Sequence, residues 1–85
     1  VSIRKVSIRQ IKAARALLNW SQDDLAMHSQ VSLPTIKRLE ANDGDVGGRP
    51  ETQEAIVAAL QRGGIEFIPE NGGGAGVRLT KPGNP

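Results

Sequence analysis

The segment Ser21 to Glu40, SQDDLAMHSQVSLPTIKRLE, permits few backbone paths because it carries two helix-starting signals in close succession. Ser21, with Asp24 three positions on, forms a capping box for one helix. Ser32 caps the next, and Pro34 falls in a first turn, where a missing N–H costs little. About three residues remain for the turn between them, so the two helices must meet at a fixed angle. Leu25, Ala26, Val31, Ile36 and Leu39 supply the apolar set that locks that angle. Ser32, Leu33, Pro34, Thr35, Lys37 and Arg38 are left on the outer side of the second helix, a polar and basic surface suited to a partner.

The flanking chain completes a helical frame. Ser7 and Gln10 make another capping box, and Ile8, Ile11, Ala14 and Leu18 recur at helical spacing, which predicts a first helix over about 8–18. Asn19 suits the left-handed position that ends it. The next two helices are expected over about 22–28 and 33–41. Asn42 to Gly48, NDGDVGG, cannot continue a helix and predicts a flexible loop. Pro50, Glu51 and Glu54 favour a helix start, and Ile56, Val57, Ala59 and Leu60 give a fourth helix stopped by Gly63 and Gly64. The period then changes: IEFI at 65–68, a turn NGGGAG at 71–76 and VRL at 77–79 predict a hairpin. The expected organisation is an N-terminal arm over 1–6, disordered or a strand, a helical domain over 7–64, and a hairpin and tail over 65–85.

Eighty-five residues bury only a modest core, so a partner subunit would help. The chain has no cysteine, which removes disulfides and thiolate chemistry and fits a reducing compartment. No apolar run approaches a membrane span. The net charge of +2 is small, but residues 1–20 hold five bases and no acid, while residues 41–70 hold two bases against six acids. This predicts a polarised molecule, with a basic side for a polyanion. His28 is the only histidine and has no Cys beside it, so a solvated surface role is expected rather than metal binding or base catalysis. The Gly-rich stretch lacks the Gly-Lys-Ser/Thr ending of a phosphate loop, and Asp43 with Asp45 lacks the Glu of a calcium loop. No enzyme activity, cofactor or metal is expected.

The two capped helices and their short turn have the helix-turn-helix layout. Arg15, Gln22, Leu25, Ala26, Val31, Ser32, Ile36 and Glu40 stand in register with a pattern that resembles the lambdoid repressor and Cro-like family, over residues of about 8–62. The resemblance implies a mainly α, four- to five-helix, lambda-repressor-like DNA-binding domain, here followed by a β-hairpin. It implies a partly buried salt bridge between Arg15 and Glu40, and a phosphate contact from Gln22. It also implies that the helix over 33–41 lies in the major groove. Ser32, Leu33, Pro34 and Thr35 would then reach base edges and phosphates, and Lys37 or Arg38 would face a guanine. Leu33 is a candidate for a thymine methyl, and Arg49 for the backbone or a minor groove. Leu33 and Pro34 stand where the family more often has polar residues. That shifts weight toward DNA shape, and packing against the second helix is the alternative for both.

Gln30 replaces the family's usual turn glycine, so the turn must accept a side chain or follow another path. Trp20 stands at an apolar position of the family, favouring core packing over base stacking.

The expectation is a sequence-specific double-stranded DNA-binding transcriptional regulator, a repressor or autoregulator, acting as a homodimer in the cytoplasm at the nucleoid. The alternative is an antitoxin-type module whose hairpin engages a partner toxin. For the dimer, Ile65, Phe67, Ile68, Val77 and Leu79 are the expected apolar contact across a two-fold axis. The competing arrangement folds them back onto the first and fourth helices.

Overall fold

The computed structural model describes residues 6–80, built as α1 Ile8–Leu18, α2 Gln22–Ser29, α3 Leu33–Glu40, α4 Pro50–Gly63, β1 Ile65–Ile68 and β2 Gly76–Leu79. The fold is mainly helical with a C-terminal antiparallel hairpin, and four helices occur among the described residues. Residues 1–5 of the expected arm and residues 81–85 of the tail lie outside them. Among the described residues no helix is long and apolar enough to cross a membrane.

The helix ends follow from local chemistry. Ser7 with Gln10 and Ser21 with Asp24 form reciprocal capping boxes, and the Ser32 side chain accepts from the Thr35 N–H. Asn19 ends α1 at φ 57° and Gly64 ends α4 at φ 114°. Gln30 closes α2 at φ 60°, a left-handed backbone that costs a residue with a Cβ roughly 1 kcal/mol. The turn therefore keeps the left-handed path and accepts the side chain. The Gln30 N–H donates to the Ala26 carbonyl at 2.8 Å, which supports that path.

One core forms between the helices from Ile8, Ile11, Ala14, Leu25, Ile36, Leu39, Ile56, Val57, Leu60 and Ile65. Two further members correct the sequence expectations. Val6, assigned to an arm, is 1% exposed, and Val46, assigned to a flexible loop, is 9% exposed. The Val46 N–H donates to the Val6 carbonyl at 2.9 Å and the Ile8 N–H to the Gly44 carbonyl at 2.8 Å. Burying two valines removes apolar surface from water, while the paired backbone groups avoid the cost of an unmet donor. The loop after α3 is thereby tied to the start of α1.

The hairpin lies along α1. In register, Ile65 faces Leu79 and Phe67 faces Val77, so these four share one face of the ribbon. Ile65 is buried, and Phe67 and Val77 pack against the core. Ile68 is half-buried, and Leu79 is 52% exposed. Of the residues expected at an apolar dimer contact, Ile65 is buried within the chain, while Phe67 and Val77 pack against the core and stay half-buried. A short helical core leaves room for a further apolar layer, and an isolated hairpin is too weak to stand away from it.

Gln10 is the fastening. Its side-chain oxygen accepts from the Ser7 N–H at 2.9 Å, completing the cap, while its Nε2 donates to the carbonyls of Gly76 at 2.9 Å and Ile68 at 3.4 Å. At 5% exposure this amide satisfies three backbone groups out of reach of bulk water. A Gln10→Glu variant keeps the cap acceptor but has no proton to donate at neutral pH. It is expected to lose about 1–3 kcal/mol. Hydrogen exchange should show β1 and β2 amides losing protection ahead of α1; equal protection of the hairpin in variant and parent would remove Gln10 from this role.

Candidate nucleic-acid interface

The attitude of α3 is set by one polar network. Arg15 on α1 donates from Nε to Glu40 Oε2 at 2.8 Å and from Nη2 to Oε1 at 2.6 Å, a two-pronged match between planar groups. Its Nη1 donates to the Trp20 carbonyl at 3.1 Å, next to the cap of α2. Gln22, in the first turn of α2, donates from Nε2 to Glu40 Oε1 at 3.1 Å. Glu40 thus accepts from both neighbouring helices, and at 4% exposure its charge is compensated by Arg15, itself 19% exposed. The end of α3 is pinned to α1 and to the start of α2. Gln22 enters this network, where the sequence reading gave it a phosphate; its amide has a second N–H for that purpose.

Trp20 extends the anchorage on the far side of α2. Its ring is stacked on His28 with centroids 4.2 Å apart and planes 9° from parallel, and it packs against the core. A Cβ at Gly63 would fall 2.8 Å from the indole, so the end of α4 approaches the ring only because that position is glycine. The His28 carbonyl accepts from Arg62 Nη2 at 3.1 Å, joining α2 to α4. His28 is exposed as expected, but its ring has a stacking partner.

On the outer face of α3, Pro34, Lys37 and Arg38 are exposed and Leu33 is half-buried. This separates two residues that the sequence left equivalent, and it makes Pro34 rather than Leu33 the apolar group most open to a partner. Ser32 Oγ donates to Thr35 Oγ1 at 2.9 Å and accepts from the Thr35 N–H, so the two hydroxyls are engaged with each other. At the other end, Asn42 Nδ2 donates to the Arg38 carbonyl at 3.1 Å. The sequence reading missed this contact, although Asn just past a helix is a recognised stop signal. Arg49 is exposed at the start of α4 and makes no side-chain cap there.

Charge pairing distinguishes the bases. Arg9 bonds Asp43 at 3.1 Å and Arg78 bonds Glu66 at 3.0 Å, both on the surface. Lys37, Arg38 and Arg49 form no ion pair among the described residues. The expected clean separation of a basic N-terminal side from an acidic side is corrected, because Arg9 of the basic segment is held by Asp43 of the acidic one. The surplus positive charge on the outer face of the two-helix unit sits on α3.

Three carboxyls titrate below their ordinary range. Asp24 is lowered by the backbone N–H and hydroxyl of Ser21, Asp43 by the Gly44 N–H and then Arg9, and Glu66 by Arg78. Among the described residues no group of three or more His, Asp or Glu side chains is placed to hold a metal ion.

Residues 11–48 match the helix-turn-helix family model, a span that runs from α1 through α2 and α3 to the end of the following loop. The match covers the Arg15, Gln22 and Glu40 network and the exposed face of α3.

Arg15→Ala and Glu40→Ala are each expected to destabilise by about 3 kcal/mol, since each leaves a poorly solvated charge without its partner. The double variant should cost less than the sum, and strict additivity in urea unfolding would show that the pair is not coupled. Acid should act separately. Carboxyls lowered in the folded state bind fewer protons than in the unfolded chain, so their contribution is complete above the usual carboxylate range. It is lost as pH falls below about 4. Urea midpoints should be level from near neutral down to about pH 5.5 and fall below about pH 4. An Asp43→Asn variant should fall less steeply, and an unchanged slope would contradict the assignment of Asp43.

Proposed function

The chain belongs to the Cro/C1-type helix-turn-helix family, whose domains bind DNA, and on that premise we propose that it is a sequence-specific transcriptional repressor that reads its operator with α3. The observation that carries this reading is the exposed pair Lys37 and Arg38. They are free of carboxylates among the described residues, on a helix whose attitude is fixed by a buried bond. Cations held in place but not internally neutralised suit acceptor atoms on guanine edges and phosphate oxygens.

Arg49 and the outer N–H of Gln22 stand on elements flanking α3, where they suit phosphates on either side of the groove. Phosphate contacts set register and orientation, and α3 supplies discrimination between sequences.

A homodimer on a two-fold operator is part of the proposal. The molecule measures 35 × 30 × 25 Å, so two copies side by side can present their α3 helices about 34 Å apart, one turn of duplex. Occupancy of such a site blocks other proteins from the same promoter segment, which accounts for repression without an enzymatic step.

Selection of bound duplexes from a random pool tests the reading. The expected outcome is a motif with two-fold symmetry and half-sites centred about 10 base pairs apart. On the best site, Arg38→Ala should cost about 1–3 kcal/mol and relax preference at one position, while Arg49→Ala should weaken binding evenly across sequences. Unchanged affinity of the Arg38 variant in a mobility-shift titration would show that α3 is not the reader.

A further inference from the structure

We propose that each operator half-site contains a thymine whose 5-methyl group packs against Pro34, about two base pairs from a guanine read by Arg38. The inference rests on α3 being the reading helix and names the sequence class that it reads.

The outward row of α3 is chemically sparse. Pro34, Lys37 and Arg38 occupy positions i, i+3 and i+4 of one exposed face. Ser32 and Thr35 are hydrogen-bonded to each other, and Leu33 is half-buried. No Asn or Gln lies within α3, so the bidentate amide contact that selects adenine has no donor–acceptor pair on this helix. Lys37 and Arg38 carry donors only, which match the O6 and N7 acceptors of guanine and are opposed by the amino groups of adenine and cytosine.

Position 34 narrows the class further. Proline has neither a side-chain polar atom nor a backbone N–H, so Pro34 has no donor and no side-chain acceptor to offer a base edge. An exposed pyrrolidine ring held against polar edges would strip them of water without return. The apolar feature of the major groove is the C5-methyl group of thymine, and packing it on the ring removes apolar surface of both partners from water. Four residues of helix separate Pro34 from Arg38, a rise of about 6 Å, against 3.4 Å per base step. The two contacts therefore fall about two steps apart.

The test uses the full chain and a duplex chosen by selection, with single-atom changes in the DNA. Deoxyuridine in place of thymine removes only the methyl group, and 7-deazaguanine removes only the N7 acceptor. Fluorescence anisotropy should show about a fourfold loss when deoxyuridine replaces that thymine in one half-site only, the worth of one buried methyl. A guanine about two steps away should respond to the 7-deaza change. Pro34→Ser, checked by circular dichroism for retained helix, should abolish the deoxyuridine effect and leave the 7-deaza effect in place. If no thymine in the half-site responds to deoxyuridine, or if Pro34→Ser keeps the full response, the proposal is overturned. A retained 7-deaza effect in that case leaves α3 as the reader, whereas loss of both effects removes the wider reading as well.

Discussion

A guanidinium laid flat against a carboxylate holds this domain in its working shape. Neither α2 nor α3, at eight residues each, has the length to persist alone, and apolar packing fixes the angle between short helices only loosely. Arg15 and Glu40 remove that freedom because their bond is planar, two-pronged and largely shielded from water. The carboxylate also accepts from Gln22, and the guanidinium also donates to the Trp20 carbonyl, so the same few atoms position the start of α2. The direction in which the outer face of α3 points depends on this fixed attitude.

The way polar groups are used elsewhere separates support from recognition. Ser32 and Thr35 hold each other, Arg9 holds Asp43 beside the loop after α3, and Arg78 crosses the hairpin to Glu66. Exposed pairs of this kind contribute little to stability because water and salt screen them. Their effect is to engage charge that would otherwise compete for an anionic partner. Among the described residues Lys12, Lys37, Arg38, Arg49 and Arg62 form no ion pair, and Lys37 and Arg38 are the two that α3 carries on its exposed face.

The hairpin solves a problem of size. A helical body this short lacks apolar cover along α1, and Ile65, Phe67 and Val77 supply it. Gln10 makes the arrangement specific by serving the α1 cap and the hairpin carbonyls with one amide. Having given its apolar face to the core, the ribbon keeps Leu79 at its base as the large hydrophobic group still exposed there. The chain start is drawn in by the same logic, with Val6 and Val46 joined to the core and to each other through paired backbone groups.

Much of this was legible in the amino-acid sequence, for a definite reason. Capping boxes span three residues, left-handed stops fall on single residues, and helical periodicity repeats within a turn, so the ends of α1 and α4 and the residues 21–40 unit could be read directly. The partnership of Arg15 with Glu40 was legible through a family pattern rather than from chemistry, since the two stand 25 positions apart. What local pattern does not encode was decided by the tertiary structure. Gln10 meets carbonyls 58 and 66 residues away, Trp20 finds His28 and Gly63, and Val46 finds Val6. Pro34 and Leu33 are adjacent apolar residues in the sequence, and only the packing of α3 determines which of them faces outward. Local hydrogen bonding and period determine the elements; the competition of their faces for one small core determines which side chains remain for function.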